Sequence, residues 1–209
     1  MNLKEIKNEI IKYGDIIDAK EFSPGTSGNI SVRFGDKIII TASGTSNGNL
    51  CYEDLVIIDF DGNCLDSSSN IKPSSEKMLH VEFYKKRPDI NAIIHVHPPV
   101  LSAFAAARKS LEDPVMAENV YYFGKIPLAE YALPSSVKLV ENTAKYFDKY
   151  NAILMANHGF VVGDANLKEA YLKLELAESY AQVVLNATLL GGAVLLTKTE
   201  VAEIEALKN

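Results

Sequence analysis

Residues 91–99 read Asn91-Ala92-Ile93-Ile94-His95-Val96-His97-Pro98-Pro99, an apolar, β-branched run closed by two prolines. A short run of this kind bounded by proline reads as a buried strand. Side chains two apart on a strand share a face, so His95 and His97 project together while Val96 turns the other way, toward a core. A second apolar run, Ala152 to Met155, leads into the turn Ala156-Asn157-His158-Gly159. Three of the four histidines of the chain therefore sit beside strand-like runs. Imidazole is the commonest metal ligand, and three protein ligands with one open position form the catalytic zinc pattern. His95, His97 and His158 are accordingly the candidate ligands of one divalent ion. His80 is different: mid-helix among Leu79, Val81 and Phe83, it reads as packing or surface.

Outward from that strand, helical and strand periods alternate without a linker, repeat or low-complexity tract. Leu3, Ile6, Ile10, Tyr13 and Ile17 recur at helical spacing, which predicts an amphipathic helix over 3–20. Strands follow over 30–34, 37–41 and 55–60, bounded by Gly35-Asp36 turn chemistry in one case and Asp61-Gly62 in another. Helices are expected over 75–86, 100–108, 136–148 and 167–189, with strands at 152–155 and 160–162. Thr197-Lys198-Thr199-Glu200 has the capping-box pattern that starts a final helix. The expected fold is α/β of the α+β type: a three-layer sandwich in which helices flank a mostly antiparallel central sheet.

At 209 residues and 47% hydrophobic content, the chain reads as one domain spanning 1–209, able to bury roughly 70% of its unfolded surface. A formal charge of −6 with no basic cluster beyond Lys85-Lys86-Arg87 argues against a nucleic-acid partner. No apolar run approaches membrane-spanning length, so no membrane partner is expected. Cys51 and Cys64 make neither a disulfide framework nor a metal spacing, and a reducing cytoplasm follows as the expected location.

Three small polar turns form a second constellation: Thr26-Ser27-Gly28-Asn29, Thr41-Ala42-Ser43-Gly44 and Pro73-Ser74-Ser75-Glu76. Each can aim backbone N–H groups and hydroxyls at one point, which suits phosphate. None matches the nucleotide phosphate loop with its lysine, so the chemistry points to a sugar phosphate rather than ATP or NAD. Glu76 is out of register for a capping box, following Ser75 directly and Ser74 by two. A helix-start carboxylate beside a metal and a phosphate turn is placed to act as general base.

Taken in order, Gly25-Thr26-Ser27-Gly28-Asn29-Ile30-Ser31, Ile40-Thr41-Ala42-Ser43-Gly44, Lys72-Pro73-Ser74-Ser75-Glu76, His95-Val96-His97 and Asn157-His158-Gly159 resemble the motifs of the class II aldolase and adducin head-domain family. The resemblance covers nearly the whole chain. It implies one Zn²⁺ per subunit held by His95, His97 and His158, with Glu76 as a fourth ligand that leaves on substrate binding to serve as acid and base. It also implies a phosphate pocket of Gly28, Asn29, Ser43, Gly44, Ser74 and Ser75, and a homotetramer with active sites at subunit interfaces. The implied reaction is retro-aldol cleavage of a ketose 1-phosphate, L-fuculose 1-phosphate or 5-deoxyribulose 1-phosphate, to dihydroxyacetone phosphate and a small aldehyde, with the metal as Lewis acid. Where relatives carry a tyrosine downstream of His-x-His, this chain offers Glu118, followed by Tyr121 and Tyr122, and no tyrosine follows Leu190. Glu118 matches the acid-base glutamate of the family's methylthioribulose-1-phosphate dehydratases, which makes that dehydration the alternative chemistry. L-Ribulose-5-phosphate 4-epimerases, which carry Asp at the Glu76 position, and non-catalytic adducin-type heads, which lack the ligands, rank lower.

Overall fold

The computed structural model describes residues 2–65 and 71–208. A helix α1 (Leu3–Ala19) is followed by strands β1 (Asn29–Phe34), β2 (Lys37–Thr41) and β3 (Leu55–Ile58), then helix α2 (Lys77–Lys86), strand β4 (Ala92–Val96) and helix α3 (Pro99–Ala106). Helix α4 (Ala117–Tyr122), strand β5 (Leu128–Ala129), helix α5 (Val137–Ala144), strands β6 (Ala152–Met155) and β7 (Gly159–Asp164), and helices α6 (Leu167–Leu189) and α7 (Lys198–Ala206) complete the chain. The seven strands form one sheet in the order β3-β2-β1-β4-β7-β6-β5. Every pairing is antiparallel except the short β5–β6 pair.

Strand alternation sorts the core into two layers. On one face Ile30, Val32, Ile39, Ala92, Ile94, Val96 and Val162 pack against Ile6, Ile10 and Ile17 of α1, Leu101 and Phe104 of α3, and Leu174 and Ala177 of α6. On the other, Ile38, Ile40, Ile93, Ile153 and Val161 meet Leu79 and Phe83 of α2 and Leu139 of α5. Phe83 and Phe147 stack there at 4.0 Å between ring centroids. The result is the helix–sheet–helix sandwich expected from the sequence, and Val96 is buried opposite His95 as the pleat requires. Burying a side chain such as Ile94 or Leu174 contributes about 1.5–3 kcal/mol, so both layers hold the sheet, and with it the site, rigid.

Local chemistry explains where the elements begin and end. Asn2 and Glu5 form a capping box on α1, and Thr197 and Glu200 form another on α7. The strand expected over 55–60 stops at Ile58 because the Asp59 carboxylate accepts hydrogen bonds from the amides of Asp61 and Asn63, closing a turn. Helix α2 begins at Lys77, two residues later than the sequence pattern suggested, because residues 73–75 are bound to the sheet rim. Helix α4 and strand β5 are short elements that the Pro- and Tyr-containing stretch did not announce. None of the described helices is long and apolar enough to cross a membrane.

Candidate active site

Three segments converge at one end of the sheet and bring four side chains together. Strand β4 delivers His95 and, one residue past its end, His97; the tight turn between β6 and β7 delivers His158; the loop before α2 delivers Glu76. Ligand-capable nitrogens of the three histidines all lie within 4.8 Å of one another. Glu76 Oε2 lies 2.9 Å from His95 Nε2, and Oε1 lies 3.4 Å from His158 Nε2. Separations of this size allow the three imidazoles to reach one small cation, with the carboxylate beside them.

The surrounding residues aim these donors. His95 Nδ1 lies 2.9 Å from the Phe160 carbonyl, so that nitrogen carries a hydrogen and donates, which turns Nε2 toward the centre. The His97 amide donates to Phe22 O at 2.9 Å. Helix α3, which starts just after it, has no side-chain cap of its own; instead the buried carboxylate of Glu178 on α6 accepts from Val100 N and Leu101 N, both at 2.8 Å. His97 is thus held from both sides. Gly159 makes room for its ring: a Cβ there would stand 2.3 Å from His97 Cδ2 and 2.8 Å from Val96 O. Asn157 turns the chain through φ 54°, a left-handed conformation that asparagine tolerates, and accepts from Arg108 Nε at 3.0 Å.

Electrostatics divide the ligands. Burial, reinforced by the charges of His95 and His158, lowers His97 to about 3, and burial with the charge of His95 lowers His158 to about 4. Both imidazoles are neutral at pH 7, as coordination requires. Burial opposes ionisation of His95 and Glu76 as well, yet their mutual attraction outweighs it: His95 is raised and Glu76 lowered from ordinary values. In the metal-free protein the two form a buried ion pair. The donor set, three nitrogens and one carboxylate with an open side toward a cleft, fits a catalytic divalent ion.

That cleft has a volume of about 250 Å³ and is lined by Glu76, His97 and His158 together with Gly28, Asn29, Ser43, Gly44, Ser74 and Ser75. The three polar turns read from the sequence meet there. The second and third are tied to each other, Ser43 N donating to Lys72 O and Ser74 N to Thr41 O, and Ser135 Oγ donates to Ser75 Oγ at 2.9 Å. Ser135 N also reaches Glu76 Oε1 at 3.4 Å. Gly28, at φ +77°, lies so close to β4 that a Cβ would stand 2.6 Å from His95 O. Buried Asn47 braces the first turn, donating to Ser23 Oγ at 2.7 Å, while Ser23 donates to Ser27 O. Ser23, Asn47, Ser135 and Glu178 carry no motif, and the sequence offered no signal for them.

Two readings come out differently from the sequence expectation. His80 is neither surface nor simple packing: it is fully buried with a polar partner at each ring nitrogen, Asn29 at Nε2 and Ser31 at Nδ1. The apolar neighbours that flank it in sequence point into the core from the same helix, which hid its polar contacts. Glu118 is exposed on α4 and borders a separate hollow with Met116, Asn119 and Tyr180; it does not line the histidine cleft of its own chain.

A mixed sandwich here gathers three imidazoles that could hold a metal ion, a carboxylate and three polar turns at one sheet end. The chain belongs to the class II aldolase and adducin N-terminal domain family, whose model matches residues 8–185. It is 36% identical over 179 residues to the L-fuculose phosphate aldolase of Methanocaldococcus jannaschii, covering 86% of this chain and 95% of the relative. It is 32% identical over 205 residues to the 3-oxo-tetronate 4-phosphate decarboxylase of Haemophilus influenzae, 95% of each chain being covered. It is also 30% identical over 207 residues to the 5-deoxy-D-ribulose 1-phosphate aldolase of Bacillus thuringiensis, with 98% and 95% covered. Among solved structures, an L-fuculose 1-phosphate aldolase superposes with a TM-score of 0.92 at 31% identity, over 100% of this chain and 98% of that one. The chain is therefore an enzyme of the class II aldolase family, and its relatives act on different phosphorylated substrates.

Proposed function

We propose that this protein is a single-domain, zinc-dependent aldolase of the cytoplasm that cleaves a ketose 1-phosphate, L-fuculose 1-phosphate or 5-deoxyribulose 1-phosphate, to dihydroxyacetone phosphate and a small aldehyde. One observation carries the reading: Glu76, His97 and His158 open onto the same 250 Å³ cleft as the three amide-rich turns. His95, His97 and His158 would hold the ion, with Glu76 completing the set. When bound, the ion supplies Lewis-acid stabilisation of negative charge developing at the substrate carbonyl.

The chain's own residues then have distinct tasks. Ser43, Gly44, Ser74 and Ser75 bind the phosphate and set the distance from it to the carbonyl. Glu76, held ionised by its surroundings, moves the proton at the carbon released when the C–C bond breaks. Among the described residues no lysine lines the cleft. Because Glu118 does not line the cleft of its own chain, a role as proton donor to the departing alkoxide requires a second copy, as in a homotetramer with interfacial sites.

The test is release of dihydroxyacetone phosphate from each ketose 1-phosphate, followed by NADH consumption in a coupled assay with and without chelator. Chelator-sensitive release supports the aldolase and the faster sugar identifies the substrate. Absence of release from both sugars by zinc-loaded protein refutes it. The decarboxylase relative supplies a second reading on the same site, checked by CO₂ release from 3-oxo-tetronate 4-phosphate. Complementation addresses the tetramer: Glu118→Gln and His158→Ala, each inactive alone, regain activity when co-assembled only if Glu118 serves a neighbouring site.

A further inference from the structure

Asn29 stands at the junction of the two halves of the site. It pairs directly with His95 in the β1–β4 register and lines the cleft beside Gly28 and Ser43. Its side chain is nine-tenths buried, and its terminal amide can present either a carbonyl oxygen or an NH₂ group to whatever occupies that cleft. For an anion the difference decides binding: Nδ2 donates to it, whereas Oδ1 repels it. Amide rotors have a broad, two-fold preference of their own, so something else must choose.

The choice is made behind the sheet. His80 Nε2 meets Asn29 Oδ1, His80 Nδ1 lies 2.7 Å from Ser31 Oγ, and Ser31 Oγ lies 2.9 Å from the Tyr84 hydroxyl. All three partners behind Asn29 are fully buried. With the Asn29 carbonyl oxygen toward His80, proton counting gives the chain one direction. A carbonyl oxygen only accepts, so His80 Nε2 carries the hydrogen; a neutral imidazole has one N–H, so Nδ1 accepts and the Ser31 hydroxyl donates to it. Ser31 has then used its single hydrogen, and Tyr84 donates to Ser31. Burial keeps His80 neutral, in agreement with this arrangement. No acceptor among the described residues takes the Nδ2 hydrogens of Asn29, which remain for the cleft.

We propose that His80, backed by Ser31 and Tyr84, is a positioning residue that locks the Asn29 amide with Nδ2 facing the cleft, where it donates to a phosphate oxygen of the substrate. The assignment rests on the phosphate reading of the cleft given above. It also explains a rigid spacing: α2 carries His80 at its centre and Glu76 at its start, so one helix sets both the anion donor and the acid-base carboxylate.

Two measurements test it. Long-range ¹H–¹⁵N correlation on the wild-type protein at pH 7 is expected to show His80 neutral and protonated at Nε2; protonation at Nδ1 overturns the proposal. Titration with inorganic phosphate is expected to give about tenfold weaker binding for His80→Phe, the loss of roughly one oriented charge-assisted hydrogen bond. His80→Gln, which can donate and accept at similar positions, should recover most of that loss. KM for the phosphorylated ketose should rise in His80→Phe while kcat and zinc affinity stay within about threefold, a split that mere loosening of the core does not produce. Should His80→Phe fail to fold, Ser31→Ala serves instead, with weaker phosphate binding and a mixed His80 tautomer expected. If phosphate binds wild type and His80→Phe alike, only the role of His80 falls. If wild type binds no phosphate, the phosphate reading of the cleft falls and takes this assignment with it.

Discussion

Gly159→Ala places one methyl group against the proposed metal centre. The added Cβ would stand 2.3 Å from His97 Cδ2 and 3.0 Å from His97 Nε2. Carbon atoms in contact settle at about 3.5–4.0 Å, so the ring must retreat by roughly 1.2–1.7 Å. The backbone of His97 cannot follow, because its amide is bound to Phe22 O and α3 behind it is fastened to Glu178. Side-chain rotation is the remaining route, and it carries Nε2 off its position by several times the tolerance of about 0.2 Å for a metal ligand. Losing that ligand should weaken zinc binding by about 100-fold or more, some 2.7 kcal/mol. Alanine is conformationally acceptable here, since Gly159 does not occupy the left-handed region, so the contact itself is tested. The 2.8 Å approach to Val96 O adds a stability cost of about 1–3 kcal/mol, read separately from thermal melting of the metal-free protein. Zinc affinity, measured by competition with a fluorescent chelator, is the deciding quantity. A folded Gly159→Ala protein that binds zinc within about twofold of wild type would show that His97 is not a ligand in this geometry.

Three further outcomes are expected. Glu178→Gln turns an amide N–H toward Val100 N or Leu101 N, frees the start of α3 and should lower zinc affinity about 10–100-fold; unchanged affinity with a lowered melting temperature would reduce Glu178 to a fold element. Because His95 is raised above its ordinary value by Glu76, zinc binding near pH 6.5 should release protons from the site; buffer-dependent calorimetric heats measure it, and heats independent of buffer ionisation contradict the ion pair. His80, lowered to about 3 in the fold against 6.5 unfolded, is destabilising only when protonated, so its contribution is complete above pH 6.5 and is lost as pH falls toward 3. Between pH 7 and pH 4.5 that loss is about 2–3 kcal/mol by linkage, and urea unfolding of metal-free His80→Gln should show a correspondingly shallower decline; parallel declines refute it.

Much of the architecture is visible in local patterns because local patterns cause it. The 4-3-4 spacing of Ile6, Ile10, Tyr13 and Ile17 buries one stripe of α1, and the alternation of β4 sends Ala92, Ile94 and Val96 to one layer and Ile93 and His95 to the other. Elements of two to six residues, β5 and α4, escaped notice because they exist through tertiary pairing: Leu128 lies opposite Leu154, and the Lys208 ammonium donates to Val120 O at 3.0 Å across from α7. The end of β3 at Ile58 followed from a side chain, Asp59, folding back on its own turn.

For the site, the amino-acid order alone pointed to the proposed ligands and to the polar turns proposed for phosphate, because His-x-His on a strand and small residues in turns act over a few bonds. It could not say how these pieces face one another. His95, Glu76 and His158 are separated by long stretches of chain and meet only because β4 lies between β1 and β7 in the sheet. The same holds for the hydrogen-bond partners behind them. Glu178 belongs to α3 only through the packing of α6, and His80 to Asn29 only through the seating of α2 on β1. Which nitrogen of an imidazole points inward, and which end of the Asn29 amide meets His80, depends on atoms 49 to 65 residues away along the chain. Tertiary structure decided those, since a hydrogen bond is directional and its partner is chosen by the fold.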